Sequence, residues 1–191
     1  MRAVSLYRGE CNGLGVAGGW AGIPDLRLNS RDRQNDRRKQ TMKTYTQQDF
    51  DALVRDENGY LHCPAGDWRN VKFGGADKIV FAADCTLGDD CKLGDDCKLG
   101  DACTLGNRCT LGDECKLGDD CTLGNGCTLG DDCTLGNRCT LGDGCTLGDV
   151  CTLGDVCTLG NGCTLGNGCT LGNRCKMGNR CTLGNRCKMG N

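Results

Sequence analysis

The chain has 191 residues and a formal net charge of −2. Aromatic residues make up 4% of the sequence and all precede Cys85, whereas there are 32 glycines and 20 cysteines. This composition excludes an aromatic core for most of the chain. No segment approaches the roughly 20 consecutive apolar residues of a membrane-spanning helix, and we expect a cytoplasmic location.

Residues 1–41 show no apolar periodicity, and the segment from Arg27 to Lys39 is polar and rich in arginine. Such a sequence cannot bury enough apolar surface to fold, so we expect disorder in residues 1–41. Met42 begins a better-organised segment. We expect it to be the first residue of the native protein, with the preceding residues read from upstream sequence.

Residues 42–78 predict a small N-terminal cap with mixed α and β structure. Thr46 is suited to be the N-cap of a short helix over residues 47–53, and Asn58-Gly59 favours a tight turn. Apolar side chains of this cap are expected to cover strand edges that would otherwise favour association. These side chains are Phe50, Leu53, Tyr60, Leu61 and Trp68.

Residues 79–191 repeat a six-residue unit, in which eighteen cysteines from Cys85 to Cys187 are spaced six residues apart. Most units read Cys-Thr-Leu-Gly-Asp/Asn-x. Because Cys and Leu are two residues apart, they share the inner face of a strand, while the intervening Thr or Lys points outward. Gly-Asp/Asn suits a corner. Val150 and Val156 argue against a positive φ at the sixth position, since β-branched residues resist that conformation.

These units resemble the hexapeptide repeat of left-handed parallel β-helices, in which a small residue lies four positions after an aliphatic one. Similar cysteine-rich runs resemble those of uncharacterised bacterial and phage proteins. The resemblance implies an all-β fold, a single-stranded left-handed parallel β-helix. This triangular solenoid would have three units per coil and therefore about six 18-residue coils after the N-terminal cap. Stacking of the coils would bury a continuous core and pair the interior strand edges.

We expect the repeat cysteines to act as small apolar core residues. Disulfides between stacked coils stay open as an alternative, because a spacing of ~4.8 Å falls within the usual Cα range. Metal binding is a further alternative, but no Cys-x2-Cys pair occurs, and we expect no metal. The corner Asp and Asn residues are expected to stabilise turns, with calcium binding as the alternative.

The resemblance also extends to hexapeptide-repeat acyltransferases. For them it implies trimers that use a histidine base and bind an acyl-thioester cofactor between neighbouring solenoids. The single histidine of this chain, His62, lies in the predicted cap and is only a weak catalytic candidate. We therefore expect no catalytic residue and no cofactor.

The function we expect is that of a non-enzymatic structural or interaction solenoid, a rigid scaffold or spacer. An acyltransferase relative is the first alternative, and an ice- or surface-binding solenoid with files of outward threonines is the second. Residues 84–120 carry ten acids and four bases, whereas residues 157–191 carry five bases and no acid. This segregation favours a homo-oligomer in the form of a head-to-tail chain, whereas the acyltransferase resemblance implies a trimer. We expect no nucleic-acid or membrane partner, and the sequence identifies no protein partner.

Overall fold

The computed structural model describes residues 42–191, and the expectations for residues 1–41 lie outside this described part. Residues 42–191 form one short helix, α1 (Gln47–Asp51), and twenty short strands. No helix in this range is long and apolar enough to cross a membrane. The strands are β1 (Leu61–Cys63), β2 (Asp67–Trp68), β3 (Ile79–Phe81), β4 (Thr86–Leu87), β5 (Lys98–Leu99), β6 (Thr104–Leu105), β7 (Thr110–Leu111), β8 (Lys116–Leu117), β9 (Thr122–Leu123), β10 (Thr128–Leu129), β11 (Thr134–Leu135), β12 (Thr140–Leu141), β13 (Thr146–Leu147), β14 (Thr152–Leu153), β15 (Thr158–Leu159), β16 (Thr164–Leu165), β17 (Thr170–Leu171), β18 (Lys176–Met177), β19 (Thr182–Leu183) and β20 (Lys188–Met189).

The strands form three parallel sheets, which we call faces 1, 2 and 3. Face 1 has the strand order β1-β3-β5-β8-β11-β14-β17-β20, face 2 has β2-β4-β6-β9-β12-β15-β18, and face 3 has β7-β10-β13-β16-β19. Successive strands of the repeat pass from one face to the next. Each then pairs with the strand one coil later, as Thr122 pairs with Thr140. The chain is therefore a parallel β-solenoid with three strands per coil, as the sequence predicted.

The solenoid begins at Leu61, upstream of residue 79, and has about seven coils instead of the six expected. β1 already pairs with β3, with Leu61 opposite Ile79. Its residues alternate between buried and exposed in the same way as those of the repeat strands. β2 pairs one residue out of the regular period, since Asp67 lies opposite Thr86. This shift explains why the repeat is not visible in the sequence of the first coil.

Helix α1 begins where the sequence predicted it. The Thr46 hydroxyl accepts the backbone N–H of Asp49, and the Asp49 carboxylate accepts the N–H of Thr46 at 2.7 Å. This capping box satisfies two N–H groups that have no partner within the helix. The helix ends at Asp51 and is therefore shorter than the predicted range 47–53.

Aromatic side chains pack inside and above the first coil. Trp68 is fully buried and stacks on Tyr45 with ring centroids 4.1 Å apart. Phe73 makes edge-to-face contacts with Phe50 and Phe81. Of the five predicted cap side chains, Phe50 and Leu53 pack against the buried core, whereas Leu61 and Trp68 lie in strands of the first coil.

The interior of the remaining coils contains aliphatic and thiol side chains. Every repeat Cys and Leu from Cys85 to Leu171 is buried. The Thr or Lys between them is exposed or half-buried throughout the same range. Fully burying each leucine contributes roughly 1.5–3 kcal/mol, so the periodic pattern alone supplies a large driving force for stacking.

The expectation that the sixth position of the unit avoids a positive φ was wrong. Every sixth residue from Asp90 to Arg186 has a positive φ, including Val150 at 60° and Val156 at 61°. In this conformation the N–H of the sixth residue donates to a carbonyl of the next coil, as Val150 donates to Asn167 at 2.8 Å. The hydrogen bond between coils and the tight corner therefore override the β-branched preference.

Candidate functional site

The cysteine thiols form three files inside the solenoid. Every cysteine from Cys63 onward is free, and the repeat thiols from Cys109 to Cys187 donate to glycine carbonyls of the preceding coil. For example, the Sγ of Cys127 lies 3.3 Å from the carbonyl oxygen of Gly106. Burial raises the pKa of Cys63 to about 12 and that of Cys163 to about 11. The thiols of Cys63 and Cys163 therefore stay protonated at neutral pH, which disfavours nucleophilic attack and metal ligation by these two residues.

The corner Asp and Asn side chains form ladders from coil to coil. The Oδ1 of Asp131 accepts the backbone N–H of Asp149 at 2.7 Å, and the Oδ1 of Asn137 accepts that of Asp155 at 2.8 Å. The preceding glycine permits this close approach, because a Cβ on Gly130 would lie 2.7 Å from the carbonyl carbon of the glycine one coil earlier. These oxygens therefore link each corner to the same corner of the next coil. Within residues 42–191, no group of three His, Cys, Asp or Glu side chains is arranged to hold a metal ion.

The outward side chains form one file on each face. Face 2 carries five threonines in register, from Thr86 to Thr158, followed by Lys176. Face 1 carries Lys98 and Lys116 before its threonines and Lys188 after them. Each strand therefore presents a single outward residue, and the files repeat at the strand spacing of ~4.8 Å.

The weak catalytic candidate, His62, lies in β1 with its side chain 60% exposed. Its Nε2 is 2.8 Å from the Oδ2 of Asp56. The hydrogen bond from His62 and the backbone N–H of Tyr60 lower the pKa of Asp56. On face 1 the neighbour of His62 is Val80. The structure thus places His62 beside a carboxylate and an aliphatic residue.

Asp56 was not predicted from the sequence as a partner of His62. The sequence feature that could have indicated this contact is the segment Asp56-Glu57-Asn58-Gly59-Tyr60, in which an aspartate begins a turn. The Oδ1 of Asp56 accepts the N–H groups of Asn58 and Tyr60, each at 2.9 Å. Gly59 adopts the positive φ of 82° that the predicted turn requires. An aspartate at this position binds its own backbone, which fixes its second oxygen towards His62.

Charged corner residues pair across coils where the sequence permits. Arg108 forms a two-pronged ion pair with Asp90, with both N–O distances at 2.8 Å. Arg138 pairs in the same way with Asp120, at 2.8 and 2.6 Å. In both pairs the arginine contacts the carboxylate at the same corner one coil earlier. Because both partners are exposed, each pair contributes only about 0.2–1 kcal/mol to stability.

Comparison with known families gives one match. Residues 114–149, two coils in the middle of the solenoid, match the family described as bacterial transferase hexapeptide (six repeats). No curated protein and no solved structure matches the chain. The matched repeat and the parallel three-faced solenoid agree with each other, and both support the hexapeptide-repeat β-helix family.

Proposed function

We propose that this chain is a non-enzymatic structural or interaction solenoid that acts as a rigid scaffold or spacer. The observation that carries the proposal is the uniformity of the coils. From β6 to β20 each strand presents one Thr or Lys outward, and each pairs with the strand one coil away. A catalytic centre needs a position that differs chemically from its surroundings. Between residues 104 and 191 the second position is Thr or Lys, the third Leu or Met and the fifth Asp or Asn, and only the sixth, corner position varies widely.

The hydrogen bonding supports a stiff solenoid. In the unit that begins at Cys139, Thr140 and Gly142 donate to backbone carbonyls of the preceding coil, each at 2.9 Å, and Gly144 donates to the next coil at 2.8 Å. The N–H of Asp143 in the same unit donates to the Oδ1 of Asn125 at 2.8 Å. Each six-residue unit is therefore tied to its neighbours at nearly every backbone donor, which suits a component that holds other groups at a fixed separation.

Calorimetric titration of the 191-residue chain with coenzyme A and with acetyl-coenzyme A tests this proposal. We expect no saturable heat from either compound. Saturable binding that is lost in His62→Ala and kept in Glu57→Ala, an exposed neighbour in the same turn, would overturn it.

The family description favours a second candidate, an acyltransferase relative, because the matched family is described as a transferase. The exposed imidazole of His62 beside Asp56 is the group that would act as its base.

The third candidate, ice or surface binding, rests on the threonine files. It predicts inhibition of ice recrystallisation that is lost on Thr134→Lys or Thr152→Lys.

A further inference from the structure

One edge of the solenoid has a charge pattern that is complementary to itself. We call it the Val150 edge and define it as the fifth and sixth residues of the units between faces 3 and 1. In chain order these residues are Asp77-Lys78, Asp95-Asp96, Asp113-Glu114, Asp131-Asp132, Asp149-Val150, Asn167-Gly168 and Asn185-Arg186. The edge is acidic before Val150, uncharged just after it and basic at Arg186.

The charges that flank Val150 have no partner inside the described chain. Arg138 pairs with an aspartate at the same corner one coil earlier, but the corresponding residue for Arg186 is Gly168. Glu114 and Arg186 are both exposed, and neither belongs to an ion pair within residues 42–191. Both charges are therefore available to a second molecule.

Val150 itself is an unusual residue for its position. It is 55% exposed and has a φ of 60°, a conformation that β-branched residues disfavour. The sixth position is glycine in four other units, which shows that the corner requires no side chain there. Val156 is likewise exposed and strained, so the charge pattern of each edge decides which valine can contact a second copy.

We propose that two copies of this chain associate edge to edge and antiparallel, about a two-fold axis at Val150. The axis places Val150 against Val150 of the second copy. Glu114 lies two coils before Val150 and Arg186 lies two coils after it, so the same axis places each Glu114 opposite an Arg186. A two-fold contact uses the same surface on both copies and closes at a dimer.

The carboxylate next to the axis is held by hydrogen bonds within its own chain. The Oδ1 of Asp149 accepts the backbone N–H of Asn167 at 2.6 Å, and the Nδ2 of Asn167 lies 3.3 Å from both of its carboxylate oxygens. The Asp149 charge is thereby directed along its own chain. The comparable edge at Val156 is not complementary to itself, because Arg138 and Arg174 flank it on both sides.

The association should be weak and sensitive to salt. An edge buries much less than the roughly 800 Å² per partner of a standard interface, and exposed ion pairs are screened beyond ~10 Å at 0.1 M salt. The inference rests on the proposed function, for which it specifies the partner as a second copy.

Sedimentation velocity of the 191-residue chain over a range of concentrations and salt tests the inference. We expect a monomer–dimer equilibrium that weakens with salt. Arg186→Glu should raise the dimer dissociation constant about tenfold or more, because two exposed pairs become repulsive. Arg180→Glu makes the same charge change at the same unit position on another edge and should leave the constant unchanged. The double variant Glu114→Arg with Arg186→Glu should restore the dimer.

The valines give an independent test. Val150→Asp should weaken the dimer, whereas Val156→Asp should not. Circular dichroism of each variant checks that the solenoid is folded. A chain that stays monomeric at all concentrations, a trimer, or equal effects of Arg186→Glu and Arg180→Glu would overturn the dimer. None of these results produces coenzyme A binding, which is the separate result that would overturn the proposed function.

Discussion

At the scale of single residues, the sixth position of each unit combines a constrained backbone with a free side chain. Its φ is positive in every unit, while the side chain varies from Gly to Asp, Arg and Val. A left-handed conformation costs an L-residue roughly 1–2 kcal/mol. The solenoid accepts this cost because the corner N–H reaches a carbonyl of the next coil, as in Val156, which donates to Asn173 at 2.9 Å.

Val156→Gly should therefore stabilise the fold. Glycine removes the strain at a φ of 61° but loses more backbone entropy on folding, so we expect a net gain of about 1 kcal/mol in the free energy of unfolding. Guanidinium denaturation measures this change in the free energy of unfolding. Thr158→Gly, in a strand of the next unit, is the control and should lower the same quantity. A loss of stability in Val156→Gly would contradict the proposed strain.

The buried thiols of Cys63 and Cys163 give the chain a defined response to alkaline pH. Burial raises the pKa of Cys63 to about 12, whereas an unfolded thiol titrates near pH ~8.5. The folded chain keeps its protons more tightly between these values. The contribution of each such thiol to the free energy of unfolding is therefore fully present below about pH 8. It is lost as the pH rises towards 12, by about 1.4 kcal/mol per pH unit for each such thiol.

Denaturation curves between pH 7 and pH 11 check this dependence. Cys63→Ser removes one thiol while keeping a small side chain, and it should reduce the slope by the share of one group. An unfolding free energy that is the same at pH 8 and pH 10.5 would contradict the raised pKa values.

At the scale of secondary-structure elements, each strand has only two or three residues, and its stability comes from the coils on either side. The fourth residue of each unit sets the spacing between coils. At Gly130, a fourth residue, a Cβ would lie 2.7 Å from a backbone carbon of the preceding coil. At Gly144, which is the sixth residue of its unit, a Cβ would have no atom within 4 Å. The two glycines therefore serve different purposes, close approach at Gly130 and a positive φ at Gly144.

Gly130→Ala and Gly144→Ala separate these two purposes. Alanine at Gly130 forces two coils apart, and we expect a loss of about 3 kcal/mol or more, as for overpacked interiors. Alanine at Gly144 meets open space and should cost only the roughly 1–2 kcal/mol of a left-handed L-residue. Thermal or chemical denaturation of both variants compares them. Equal losses would show that the coils do not approach as closely as described.

The hydrogen-bond ladder of the corners can be tested at Asp131. Its backbone N–H donates to the Oδ1 of Asp113, and its own Oδ1 accepts the backbone N–H of Asp149. Asp131→Ala leaves the N–H of Asp149 without this partner and should lower stability by about 1 kcal/mol. Asp131→Asn keeps the accepting oxygen and removes one charge from a file of aspartates, so it should be neutral or stabilising at low salt. Equal destabilisation by both substitutions would contradict the role of the Oδ1 atom.

The sequence pattern predicted most strands and the helix, because the spacing of apolar and capping residues determines where these elements form. Alternation of Cys, Thr and Leu gives strands from Thr86 onward, and Thr46 marks the start of α1. The first coil was not predicted, because Asp67 pairs one residue out of period and Trp68 replaces an aliphatic residue. The conformation of Val150 was predicted wrongly, because the side-chain preference was weighed without the hydrogen bond between coils.

The candidate site was less predictable than the fold. The sequence identified His62 as the single histidine but not its contact with Asp56, which depends on how a turn folds back on β1. Charge segregation was visible in the sequence. Its arrangement on the Val150 edge follows only from the three-strand coil, which brings residues 18 apart into one file.

At the scale of the whole solenoid, the length is set by the number of coils. The eight strands of face 1 give seven spacings of ~4.8 Å, or roughly 34 Å. Each repeat coil contacts only its neighbours, so stability and length should both grow with each added coil. A spacer built in this way changes its reach by whole coils while its three faces keep their direction.

Small-angle X-ray scattering tests the central claim, that this chain is a rigid solenoid whose length follows its coil number. The measurement compares the 191-residue chain with a variant that carries three additional copies of residues 121–138, at high salt to suppress association. We expect the maximum dimension to increase by roughly 14 Å at an unchanged cross-section. An unchanged dimension, or a profile typical of a flexible chain, would contradict the rigid parallel solenoid.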